Sequence, residues 1–111
     1  MEAEYQVEEN SLRIYVPKEL DHHVADKIRR ESEAMLAERE IKKIVFDFSD
    51  TTFMDSSGIG MVLGRVKKLR PMGGTVEAWE VSDSVYRILC MSGLEGIVLI
   101  KRKRKEKSWE Q

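Results

Sequence analysis

At 111 residues, 41% hydrophobic and 35% charged, the chain is long enough to bury one core and too short for two domains. Nineteen Lys and Arg against 20 Asp and Glu leave a formal net charge of −1, which argues against a protein drawn to nucleic acid or anionic membrane by its overall charge. A lone Cys90 excludes an internal disulfide, no charged-then-apolar leader precedes Tyr5, and no apolar run approaches the ~20 residues of a membrane span, so the expectation is a soluble protein of a reducing, cytoplasmic compartment.

Residues 4–8 alternate polar and apolar, and Glu9, Asn10 and Ser11 supply turn chemistry before a second alternating run of Leu12, Ile14 and Val16. That pattern predicts a hairpin of two half-buried strands, closed by Pro17, which cannot donate to a ladder. Asp21 is the expected N-cap of a first helix, with Leu20 stapling back onto Ala25, Val24, Ile28, Met35 and Leu36 forming its apolar stripe, and Lys27, Arg29, Arg30, Glu33 and Glu38 facing water. The run Ile44-Val45-Phe46-Asp47-Phe48 is apolar at consecutive rather than alternate positions apart from Asp47, the pattern of a strand covered on both faces by helices in a parallel sheet. Residues 49–52 read as loop.

Asp55 then introduces a second helix on which Ile59, Val62, Leu63, Val66 and Leu69 share a stripe, with Arg65, Lys67, Lys68 and Arg70 placed elsewhere. Pro71, Gly73 and Gly74 end it. A strand over 75–79, a third helix from Ser82 and Asp83 with Val85, Ile88 and Leu89 inward, its end at 91–93, and a last buried strand over 97–100 complete the order β-β-α-β-α-β-α-β. The expectation is a single α/β domain over residues 1–100, with a mixed sheet packed by helices. Residues 101–111 follow as a solvated basic tail with six Lys or Arg against two Glu. Right-handed crossovers would bring the helix starts at 20–22, 55–58 and 82–83 to one sheet edge, where ligands of open α/β sheets bind.

The chemistry concentrates in Phe53-Met54-Asp55-Ser56-Ser57-Gly58-Ile59-Gly60. Its hydroxyls stand at a helix N-terminus, where free N–H groups and the macrodipole favour an anion. A nucleophilic serine needs a base and an orienting partner, but the two histidines, His22 and His23, are adjacent at another helix start and the motif is not Gly-x-Ser-x-Gly, so a serine hydrolase is disfavoured. The same two histidines lack the further donors of a metal site. Gly58, Gly60 and Gly64 give Gly-x-Gly-x-x-x-Gly, with Leu63 where a dinucleotide fingerprint requires its third glycine. Three glycines within a turn and a half predict close approach, either of the sheet beneath or of a partner above. With Asp55 as cap, Ser56 and Ser57 both occupy the first turn, where a phosphate of about −1.5 to −2 charges is tolerated by the helix end and alters any docking surface centred there.

That octapeptide, with Leu63-Gly64-Arg65 after it, resembles the signature of the STAS-domain anti-sigma factor antagonists. Glu19-Leu20-Asp21-His22-His23 and Met91-Ser92-Gly93-Leu94 are similar to the same family, in particular its branch acting on the sporulation sigma factor F, and the similarity runs over about residues 5–100. The resemblance implies a phosphoacceptor at the first serine after the aspartate, here Ser56, with Ser57 the alternative. It further implies a regulatory cycle without cofactor or metal in this chain. The unphosphorylated antagonist binds an anti-sigma factor that is itself a serine kinase, which brings ATP and Mg²⁺, and so frees the sigma factor; phosphorylation ends the complex and a phosphatase restores it. Asp21, His22, Asp55, Ser57, Gly58, Ile59 and Gly60 are the expected partner-binding residues, and a STAS scaffold whose serines only cap is the alternative. The basic run 101–107 departs from the pattern, since related proteins continue there into a further helix.

Overall fold

The computed structural model describes residues 2–104. Strands β1 (Glu4–Glu8) and β2 (Ser11–Tyr15) pair antiparallel, with Glu8 opposite Ser11, so Glu9 and Asn10 form a two-residue hairpin loop in which Glu9 takes φ 56°. The chain then passes through a two-residue strand β3 (Glu19–Leu20) into α1 (His22–Glu38), β4 (Lys43–Asp47), a second two-residue strand β5 (Phe53–Met54) and α2 (Ser56–Leu69). It ends through β6 (Thr75–Val81), α3 (Asp83–Met91) and β7 (Leu99–Arg102). The main sheet has the order β1-β2-β4-β6-β7, parallel throughout except for the first pair. The mixed α/β architecture is the expected one. The two short strands were not expected, and they pair with each other in parallel, Glu19 with Phe53 and Leu20 with Met54.

The core lies on one face of the sheet. Leu12 and Ile14, Ile44 and Phe46, and Val76 and Ala78 alternate inward from β2, β4 and β6, and meet Ala25, Ile28, Met61, Val62, Leu69 and Leu89 from the helices. Each such large side chain stabilises the fold by roughly 1.5–3 kcal/mol. The consecutive apolar run of β4 predicted helices on both faces, and this is corrected by the structure. Val45 and Asp47 are only 2% and 3% exposed, yet their cover is a layer of side chains from neighbouring strands. Arg13 hydrogen-bonds the Asp47 carboxylate and lies over the rings of Tyr15 and Trp79, at 5.0 and 4.7 Å from their centroids. Lys101 also reaches the Trp79 ring, at 4.6 Å, and the Trp79 indole donates to Glu77 at 2.7 Å. Cation–π contacts and long aliphatic stems do here what a helix was expected to do.

The last strand is also displaced from its expected position. Val98 and Leu94 are buried, but β7 itself is an edge strand in which Leu99 is 56% exposed. It runs past residue 100, so Lys101 and Arg102 belong to the sheet, and Arg102 pairs with Asp83 at 2.6 Å and stacks on Tyr86 at 4.1 Å. The remaining tail prediction, from residue 105 onward, lies outside the described residues.

Candidate functional site

Two capped helix starts are held side by side. Asp55 adopts extended φ/ψ of −108° and −173°, and its Oδ1 accepts from the Ser57 N–H at 2.9 Å while its carbonyl accepts from Gly58 at 3.0 Å. Asp21 does the same for α1, its Oδ1 accepting from Val24 at 3.0 Å. That hydrogen bond holds the Asp21 carboxyl below the usual carboxylate range, slight desolvation opposing it and the nearby His23 and His22 adding to it. The β3–β5 pair sets the two starts in register, and the Asp55 N–H continues it by donating to the Leu20 carbonyl at 3.3 Å. Behind them Thr51, 2% exposed and expected in a loop, donates to the carbonyls of Val16 and Pro17 at 3.1 and 3.0 Å. Thr52 and Phe53 donate their N–H groups to Lys18 at 2.8 and 3.2 Å. A Ser/Thr-rich loop gives no sign of which hydroxyl will be buried; here it is the one whose single O–H lies within reach of two backbone carbonyls.

The octapeptide residues separate by direction. Ser56, first residue of α2, is exposed, and Ser57 is half-buried with its N–H committed to Asp55. Gly58 is buried: a Cβ built on it would stand 2.6 Å from Met54 Cγ and 2.8 Å from Leu20 Cδ2, both side chains of the β3–β5 pair. Its expected place on a surface offered to a partner is therefore corrected, because the close approach it permits is that of the fold itself. Ile59 is half-buried against the core, while Gly60 is exposed with nothing within 4 Å of a built Cβ. Phe53, immediately before Met54, leaves 50% of its surface in solvent at the same end.

Between α1 and α2 runs a groove of about 470 Å³, with His22, His23, Arg29 and Arg30 on one wall and Ser57 and Gly60 on the other. The structure thus brings the histidines and a serine of the motif to one groove, in keeping with the expectation that the helix starts at 20–22 and 55–58 share one edge. Neither histidine hydrogen-bonds a serine hydroxyl among the described residues; the two rings lie against each other at a tilt of 37°, centroids 4.0 Å apart. Among the described residues no group of three or more His, Cys, Asp or Glu is placed to hold a metal ion, and no helix is long and apolar enough to cross a membrane. The third helix start reaches the same sheet edge, where Ser82 Oγ accepts from Val85 at 3.3 Å and α3 packs on β5, but it does not line the groove.

Arg65 was placed off the inward stripe of α2 with Lys67, Lys68 and Arg70, and this too is corrected. It is 4% exposed and lies between the helices, pairing with Glu33 at 2.8 Å and reaching Ser32 Oγ at 3.4 Å, with its Nε unpartnered. The spacing Met61, Val62, Arg65, Val66, Leu69 carries the signal, since Arg65 falls within the buried stripe.

The STAS domain family matches residues 2–107 of this chain. The chain belongs to the STAS domain family. Over 82 residues it is 40% identical to the anti-sigma F factor antagonist of Paenibacillus polymyxa, a match covering 74% of this chain and 70% of that one. This STAS domain superposes on the unphosphorylated anti-sigma factor antagonist SpoIIAA with a TM-score of 0.82 at 28% identity, over 91% of this chain and 89% of the other. For the phosphorylated form of SpoIIAA from Bacillus the TM-score is 0.74 at 27% identity, covering 91% and 92%. The fold is one in which SpoIIAA is described in both its unphosphorylated and its phosphorylated form.

Proposed function

We propose that this STAS domain is an anti-sigma factor antagonist of the type acting on the sporulation sigma factor F. Its unphosphorylated form binds an anti-sigma factor that is also a serine kinase, and phosphorylation of Ser56 ends the complex until a phosphatase reverses it. The observation that carries this reading is the placement of Ser56: exposed, first in α2, beside a capping aspartate and ahead of a Gly60 whose surface is open. Resemblance supports Ser56 over Ser57, and the geometry agrees, since Ser57 is half-buried with its amide held by Asp55.

A phosphate on Ser56 stays compatible with the fold, because the helix N-terminus favours an anion, while the Asp55 carboxylate next to it makes the local charge strongly negative. A partner that docks over this end then meets a changed sign and shape, and like charges facing one another across an interface cost several kcal/mol. The chain acts as a regulatory binding protein, and Asp21, His22, Asp55, Ser57, Ile59 and Gly60 contribute the surface around the switch. The kinase supplies ATP and Mg²⁺.

Incubation with the purified anti-sigma factor and ATP, followed by peptide mass mapping, tests the site. Phosphate is expected on Ser56 and lost in Ser56→Ala; label persisting in that variant would move the acceptor to Ser57. Ser56→Asp is expected to bind the anti-sigma factor at least about tenfold more weakly than wild type, and equal binding would refute charge as the switch.

A further inference from the structure

Two arginines, Arg29 and Arg30, line the groove between α1 and α2 against one lining aspartate, Asp26. Arg29 Nη2 and Arg30 Nε both bind the single Asp26 carboxylate, at 2.7 and 3.0 Å, so one anion serves two guanidinium groups. Both arginines keep half or more of their side-chain surface in solvent, 51% and 62%, and retain donors that Asp26 does not occupy. The N-termini of α1 and α2 open onto the same groove through His22 and Ser57, but the capping carboxylates of Asp21 and Asp55 offset their roughly half positive charges, so the attraction for an anion rests on the two arginines. The opposite wall is low, because Gly60 presents no side chain and a built Cβ there meets nothing within 4 Å.

We propose that this groove seats an acidic segment of the anti-sigma factor, with Arg29 and Arg30 receiving an Asp or Glu side chain beside Ser57 and Gly60. The inference rests on the function proposed above and adds the chemistry of the partner. It also gives the phosphate at Ser56 a second effect. Standing one residue from the groove wall, the phosphate competes for the same positive field that draws the carboxylate in, so the modification weakens an attraction as well as adding a repulsion.

The test compares binding of the purified anti-sigma factor to wild type, Ser56→Asp, the double variant Arg29→Glu/Arg30→Glu, and Asp26→Asn, with far-UV circular dichroism confirming the fold of each. The double charge reversal is expected to weaken binding tenfold or more and to flatten its salt dependence. Asp26→Asn releases both arginines and is expected to tighten binding about twofold or more; a purely structural role for the Asp26 ion pairs would make both changes weaken it. Wild-type affinity in the double variant, alongside loss of binding in Ser56→Asp, overturns the groove assignment and leaves the proposed function standing. Failure of wild type itself to bind the anti-sigma factor overturns that function and this inference together. Sedimentation of the free wild type as a dimer that the charge reversal dissociates assigns the groove to a second copy of the chain and refutes the proposal.

Discussion

Placing a methyl group on Gly58 and, separately, on Gly60 separates two roles within one turn of one helix. Both substitutions to alanine gain the same helix propensity, about 1 kcal/mol, so that gain cancels in the difference between them. At Gly58 the new Cβ stands 2.6 Å from Met54 Cγ, 2.8 Å from Leu20 Cδ2 and 2.9 Å from Met54 Sδ, roughly 1 Å inside ordinary carbon contact. Leu20 is fully buried and Met54 is 4% exposed, so neither has free space into which to turn. Overpacking of this kind costs about 1–3 kcal/mol. Gly60→Ala meets nothing, and its methyl would be added at a residue that lines the groove between α1 and α2.

In urea denaturation Gly58→Ala is therefore expected to be about 1–3 kcal/mol less stable than Gly60→Ala, with Gly60→Ala at or slightly above wild type. In binding to the anti-sigma factor the order reverses for a different reason, Gly60→Ala losing affinity while fully folded. Equal stability of the two variants would refute the claim that Gly58 is a packing position between α2 and the β3–β5 pair.

Arg65→Met is expected to stay within about 1 kcal/mol of wild type, because a buried ion pair is readily replaced by an apolar side chain of similar length, whereas Arg65→Ala leaves a cavity and costs about 2–4 kcal/mol. A Met variant as unstable as the Ala variant in chemical denaturation would show that the contact with Glu33 itself holds the helices. Asp47 gives an acid-side prediction: burial opposes its ionisation, but hydrogen bonds from Ser49 and Arg13 outweigh burial and hold its carboxyl below the usual range. The stability it contributes is present above the ordinary aspartate pKa of about 4 and is lost as pH falls through its lower folded value. Thermal melts from pH 5 to pH 2 should show wild type losing more than Asp47→Asn, and parallel curves would contradict this. Glu80 sits at φ 57° where the β6–β7 register shifts, so Glu80→Gly should be neutral or stabilise by up to about 1 kcal/mol, although glycine within a regular strand destabilises by a similar amount. A loss of more than 1 kcal/mol in Glu80→Gly would show that the Glu80 side chain, and not the bulge geometry, matters there.

The main elements were legible because their signals are local. Asp21, Asp55 and Ser82 each cap the helix that their position before an apolar stripe predicts, and the hairpin follows from alternation around Glu9 and Asn10. The errors arise where one residue's surroundings come from distant strands. Val45 and Asp47 look like positions beneath a helix because burial alone is written into a consecutive apolar run, and nothing in that run says that Arg13 and Trp79 supply the cover. Arg65 was misplaced because charge was read ahead of register. The β3–β5 pair is invisible in sequence, since two residues carry no periodicity.

The sequence by itself determined the proposed switch: an octapeptide with its own cap, at a helix start, in a chain of one α/β domain. Those properties depend on neighbours within a few residues, where side-chain type and backbone preference act directly. Tertiary structure decided how the switch is presented. Parallel pairing of Leu20 with Met54, 34 residues apart, places the α1 and α2 starts in one groove, turns Gly58 inward and leaves Ser56 and Gly60 in solvent. Which of two glycines two residues apart is left in solvent follows from where a distant leucine packs, and that is fixed only when the whole chain closes its core.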